Sequence, residues 1–206
     1  MAKQIWKPGN MLYPLPVVMV SCKRRGEKPN IITIGWTATV NTSPPMTSIS
    51  IRPSRYSYQM IKESGEFVIN LTTKDLIYAA DYCGVKSGRD VNKFDHLHLT
   101  PCESSLVEAP GILESPVNIE CKVKEIKNLG SHDMFLAEVL AVHVDEKYMD
   151  RKGEFLLNQT GLVTYSHGEY FELGKTLGKF GFSVEKKKKN HKDGVKRKGS
   201  QGNKKK

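Results

Sequence analysis

The chain has 206 residues and a formal net charge of +10, and the excess lies wholly in residues 186–206, where eleven Lys or Arg stand against Asp193. The body that precedes them carries 21 bases and 21 acids, so the basic character belongs to a tail and says nothing of chemistry in the body. A body of this size suits one domain with its own core, and 38% hydrophobic with 26% charged residues excludes wholesale disorder.

Residues 17–21 form a β-branched strand, followed by a polar turn at 23–30 containing Gly26. Residues 31–40 read as a second strand, which the paired prolines of 41–45 stop. Residues 47–52 alternate, with Ile49 and Ile51 on one face. Pro53 and Ser54 then offer a start for a helix over 55–64, and Gly65 ends it. A strand spans 66–71, and Thr72 is placed to cap a helix running to about Cys83, on which Leu76, Ala80 and Cys83 share a face. Residues 116–124 have period-2 spacing: Val117, Ile119, Cys121 and Val123 against Asn118, Glu120, Lys122 and Lys124. A turn at 128–131 joins this strand to a long apolar one over 132–144, the two making an antiparallel hairpin. A last strand is expected at 161–166, with 168–182 irregular. The pattern suggests a closed or nearly closed β-barrel with short helical insertions, a domain over 1–183 and a disordered polybasic tail over 184–206.

No apolar run reaches the ~18 residues of a membrane helix, and no secretory signal is read. Four separated cysteines without a C-x-x-C pair fit reduced thiols in a cytoplasm. Gly168 to Thr176 misses the phosphate-loop spacing by one residue, and His96 with His98 lacks a distal ligand pair, so no metal site is expected.

Two loops stand out. In the first, G-W-T-A-T-V-N-T-S-P-P leads to R-P-S-R-Y-S, with Arg52 and Arg55 flanking Ser54 at a helix start. In the second, C-G-V-K-S-G-R-D-V-N-K-F offers glycines, a hydroxyl and the bases Lys86, Arg89 and Lys93. Each alone reads as solvated loop charge; together they point to a phosphate-bearing ligand.

These stretches, with E-F-V-I-N-L, P-V-N-I-E-C, G-S-H-D-M-F-L-A-E-V and Y-S-H-G-E-Y-F-E-L-G in order, resemble the flavin reductase-like FMN-binding split-barrel family over residues 10–183, in particular its flavoredoxin-like branch. The resemblance implies a mainly β fold, an antiparallel, Greek-key-like split barrel. It implies FMN as cofactor, with the ring against Trp36, Thr37, Ala38, Thr39, Asn41 and Ser43. Its ribityl phosphate would lie near Arg52, Ser54, Arg55 and Ser57, and along Cys83, Gly84, Ser87, Arg89, Asp90 and Lys93. Trp36 either stacks on the ring or is an ordinary barrel indole. His132 and His167 are candidate catalytic residues near the flavin edge, the alternative being hydrogen-bonded structural histidines. A homodimer with flavin near its interface is also implied.

The expected activity is oxidation of NADH or NADPH with hydride passing to flavin, then to free flavin, ferric iron or a redox protein. The alternative is a non-enzymatic FMN electron carrier. Nucleic acid is a partner only through residues 186–206, a stretch equally suited to attract an acidic redox protein.

Overall fold

The computed structural model describes residues 1–185; the expectations for 186–206 lie outside the described residues. The chain divides into two compact units, Met1–Leu173 and Gly174–Lys206. In the described part of the second, a single 3-10 turn at Phe182–Val184 is the regular structure.

In the first unit, β1 (Leu15–Pro16), β2 (Val18–Cys22), β3 (Asn30–Ile34), β4 (Thr37–Thr42) and β5 (Pro45–Ile51) lead into helix α1 (Tyr56–Ser64). Strand β6 (Glu66–Leu71), a 3-10 turn at Lys74–Leu76, α2 (Ile77–Val85) and α3 (Lys93–Leu97) follow. Short β7 (Pro101–Cys102) and β8 (Gly111–Ile112) precede the long hairpin of β9 (Val117–Asn128) and β10 (Asp133–Val144), and β11 (Val163–Ser166) and β12 (Glu169–Glu172) close the unit. Seven strands make one antiparallel sheet in the order β3-β2-β6-β9-β10-β5-β4. It curls so that β3 approaches β5 while its two edges stay unbonded, which is a split barrel. A second sheet runs β1-β11-β12.

Strand alternation builds two cores. On β2, Val18, Val20 and Cys22 face the barrel interior with Ile49, Ile51, Phe67 and Phe135. Met19, on the opposite face, packs with Ile31 under Leu76, Ala80 and Cys83 of the α2 region and Phe94 of α3. The helical face expected at Leu76, Ala80 and Cys83 is therefore buried. Gly65 ends α1 in the left-handed region at φ 72°, its N–H returning to the Ile61 carbonyl.

Four expectations change. Residues 31–40 are two strands broken at Gly35–Trp36, because the chain crosses there from one edge of the sheet to the other. Thr72 caps no helix. Its backbone carbonyl receives the Val163 N–H, Lys74 N–H donates to Gly161, and Thr73 bridges Leu162, so this stretch is held extended and α2 starts later. The polar face of β9 is not solvated throughout: Asn118 and Glu120 are buried beneath the 101–112 segment. Part of the stretch expected to be irregular is β12, joined to β11 by a tight turn with His167 and Gly168 at positive φ.

Candidate functional site

A cavity of about 390 Å³ opens where β3, the start of α1, the end of α2 and the following loop meet. Its walls carry Arg52, Arg55, Lys86, Arg89 and Lys93, with the hydroxyls of Ser54, Ser57 and Ser87, and no carboxylate among the described residues. No side chain caps the N-terminus of α1; the Tyr58 N–H turns back to the Arg55 carbonyl, which leaves the Tyr56 and Ser57 N–H groups to meet an anion. Asn30 donates its amide to Ser57 Oγ at 2.7 Å and fixes that hydroxyl in the wall.

Lys93 is only 3% exposed. Its Nζ donates to the Ile31 carbonyl at 2.6 Å and the Cys83 carbonyl at 2.9 Å. An ammonium has three donors, and the third has no protein partner among the described residues. Burial pushes the Lys93 pKa below the ordinary lysine value, outweighing the opposing effects of Cys83 and Cys22, and Arg55 lowers it slightly further. A buried cation without a counter-ion is costly unless something pairs with it, so the pocket suits a ligand carrying negative charge.

The sequence candidates separate into groups. Arg52, Ser54, Arg55, Ser57, Cys83, Gly84, Ser87, Arg89 and Lys93 all line the cavity. Asp90 lines a neighbouring hollow. Thr37, Ala38, Thr39 and Asn41 lie along β4, a strand with five of its six residues exposed, and Ser43 is in the turn after it. Trp36, half exposed, packs its indole 5.5 Å from the His132 ring. Burial lowers the His132 pKa, and the nearby charges of Arg52 and Arg55 lower it further, which ties His132 electrostatically to the cavity rim and favours a neutral imidazole. His167 sits exposed in the β11–β12 turn with its ring 6.1 Å from that of Tyr13; it does not line the cavity.

Asn30, Ile32, Tyr56, Lys86 and Gly88 complete the lining. Lys86 and Gly88 belong to the loop whose glycines and bases drew attention. Asn30 and Tyr56 carried no local signal and are recruited by the fold. A second polar cluster forms on β9 and β10, where buried Glu120 meets His143, and Ser105 Oγ lies 3.3 Å from His143 Nε2. Both contacts use the same ring nitrogen, so this is not a nucleophilic relay, which needs both.

An antiparallel split barrel thus carries, beside its first helix, a cationic, hydroxyl-rich cavity whose chemistry suits a phosphate-bearing ligand. Residues 10–174 match the flavin reductase like domain, and the chain belongs to that family. This assigns it to flavin-linked redox proteins. It is 34% identical to an uncharacterized protein of Archaeoglobus fulgidus, over 78% of this chain and 88% of the relative. Among solved structures it is similar to the flavoredoxin of Desulfovibrio vulgaris (Miyazaki F), at 30% identity and TM-score 0.82, covering 89% of this chain and all of that one. The flavoredoxin from Methanosarcina acetivorans gives 28% identity and TM-score 0.79 with the same coverage. No helix among the described residues is long and apolar enough to cross a membrane.

Proposed function

We propose that the protein is an FMN-binding oxidoreductase that takes hydride from NADH or NADPH and delivers electrons to free flavin, ferric iron or a small redox protein. The observation that carries this is the cavity lined by five cationic side chains, among them the buried Lys93, whose ammonium meets two carbonyls and no carboxylate among the described residues, in a chain of the flavin reductase-like family. Lys93, Arg52, Arg55 and the Ser54 and Ser57 hydroxyls would hold the terminal phosphate. The exposed strand from Thr37 to Asn41, with Ser43 beyond it, would offer backbone and side-chain donors to the ring, and Trp36 an apolar flank. Bound FMN would supply the two-electron acceptor that side chains lack. His132, kept neutral by burial and two arginines, would orient the reacting edge by hydrogen bonding, without adding positive charge.

A homodimer is supported by exposed apolar side chains on the curled sheet and its turns, Val40, Ile126, Leu129 and Val142. The four free cysteines fit a reducing compartment such as the cytoplasm. The tail charge of residues 186–206 suits an acidic acceptor protein. A non-enzymatic electron carrier is the second reading, favoured by the likeness to two flavoredoxins.

The test is spectroscopic. Purified protein should show, or gain on adding FMN, a perturbed flavin absorption spectrum that bleaches anaerobically with NADH or NADPH. Protein that never acquires flavin absorbance refutes the reading. Flavin that bleaches only with a reduced protein donor favours the carrier.

A further inference from the structure

The turn that leads to His132 has no core of its own. Leu129, Gly130 and Ser131 are exposed, so apolar packing does not fix where the histidine ring stands. What reaches this turn is a carboxylate. Asp133, buried at the start of β10, lies between Asn128 of β9 and Ile51 of β5 in the sheet. Its Oδ1 accepts from Asn128 Nδ2 at 2.7 Å, and its Oδ2 accepts from the Tyr58 hydroxyl of α1 at 2.6 Å. Asn128 passes the restraint on, its Oδ1 accepting the Gly130 N–H at 3.2 Å. The Leu129 N–H then closes the turn on the His132 carbonyl at 2.9 Å.

No ion pair involves Asp133 among the described residues; both oxygens meet neutral donors. Burying a carboxylate away from any cation is costly, whereas hydrogen bonds to an ionised acceptor are short and strong. What this group supplies is therefore fixed geometry. The segments it ties frame the rim of the cavity. Ile51 leads into Arg52, the Tyr58 N–H returns to the Arg55 carbonyl, and His132 is the residue before Asp133. The His132 ring stands 5.5 Å from that of Trp36, with Nδ1 3.0 Å from Ser131 Oγ.

We propose that Asp133 is a positioning residue: by clamping the turn at 128–132 to α1 through Tyr58, it holds the His132 ring against Trp36 at the cavity rim. The inference rests on the reading of His132 as the residue that orients the reacting edge of the flavin. The clamp can be told from a mere neighbouring charge by the sign of one shift. A carboxylate acting by charge alone raises a histidine pKa, so its loss would lower that of His132. Release of the ring toward solvent, away from the burial and the two arginines that depress it, raises the pKa toward about 6.5.

The experiment titrates the imidazoles of flavin-free full-length protein by NMR, the His132 signals being those absent from His132→Gln. Asp133→Asn, Tyr58→Phe and Asn128→Ala should each raise the His132 pKa by about half a unit or more. Tyr58→Phe leaves the carboxylate charged and Asn128→Ala lies on an exposed turn, so the readout survives if Asp133→Asn does not fold. Ile112→Val, in the other core, destabilises without touching the clamp and should leave that pKa unchanged. With FMN and NADH or NADPH added, Asp133→Asn and His132→Gln should both slow nicotinamide oxidation, and the double variant should be no slower than His132→Gln alone. A His132 pKa unmoved or lowered in all three clamp variants, an equal rise in Ile112→Val, or additive slowing in the double variant overturns the proposal and leaves the flavin reading standing. A raised pKa with His132→Gln working at the wild-type rate overturns the reading of His132 itself, and with it any part for Asp133 in the reaction.

Discussion

Replacing Glu120 tests how a buried charge holds the 101–112 segment to the barrel. Glu120 is fully buried on β9, and one carboxylate oxygen accepts the Ser105 N–H at 2.7 Å while the other accepts the Leu106 N–H at 2.7 Å. His143 adds a third contact. Hydrogen bonds to a charged acceptor contribute about 1.5–3 kcal/mol each. Glu120→Gln keeps one acceptor and turns its NH2 toward an N–H group, so a loss of about 2–4 kcal/mol is expected. Glu120→Ala abandons both donors and should cost about 3–5 kcal/mol. With a urea m-value of about 2 kcal/mol/M, a 3 kcal/mol loss lowers the midpoint by about 1.5 M.

The acid side of the stability curve gives a second readout. Burial alone would raise the Glu120 pKa, but the two N–H donors and His143 outweigh it and the net shift is downward. Between that lowered native value and the unfolded value of about 4.3, the unfolded chain binds more protons, so stability rises with pH there. The stabilisation is complete above about pH 5 and is lost as pH falls through the native pKa. Urea denaturation of wild type and Glu120→Gln, followed by far-ultraviolet circular dichroism in flavin-free protein, should therefore give curves that converge below about pH 4.5. A difference under about 0.5 kcal/mol at pH 7, or one that stays constant down to pH 3.5 (roughly a unit below the unfolded pKa), would show that the carboxylate does not carry the segment.

Three further outcomes are expected. Lys93→Met keeps the buried stem and removes the charge, so it should weaken FMN binding by about tenfold or more, and wild-type affinity should fall with rising pH earlier than an ordinary lysine would dictate, because the Lys93 pKa is depressed; titration of FMN against pH in both proteins checks this. Phe135→Ala, at a fully buried position whose ring meets Tyr58 edge-on at 5.5 Å, should cost about 3–5 kcal/mol in urea unfolding. Tyr58→Phe removes a 2.6 Å hydrogen bond from the hydroxyl to Asp133 Oδ2 and should cost about 1.5–3 kcal/mol in the same assay.

Local signals carried much of the barrel. The strand at Glu66–Leu71, the stop at Gly65 and the hairpin of β9 and β10 follow from alternation and turn chemistry within a dozen residues. What the sequence concealed depends on distant partners. The run from Ile31 to Val40 is uniformly strand-like, and only the order of strands in the sheet demands a break at Gly35–Trp36. Thr72 resembles a cap until Val163, ninety-one positions later, claims its carbonyl. Glu120 reads as a solvent-facing residue because nothing near it announces that Ser105 and Leu106 will cover it. The site divides in the same way. Its arginines, lysines and serines cluster in two loops that composition picks out, whereas Asn30 and Tyr56 become wall residues only when the barrel brings β3 to the start of α1.

The charge follows an analogous division. Eleven bases in residues 186–206 set the net charge, yet five in a balanced body define the cavity. At an ionic strength near 0.15 M, charges more than about 8 Å apart in solvent are largely screened, while a cation such as Lys93, nearly excluded from water, is screened far less. On the proposed reading, long-range tail charge would change how often an acidic partner arrives, and the buried charge would decide what the site retains. Deleting residues 186–206 should therefore alter the ionic-strength dependence of electron delivery to an acidic acceptor protein while leaving the FMN dissociation constant unchanged. A tail deletion that weakens FMN binding as much as Lys93→Met does would show that the two sets of charges act as one.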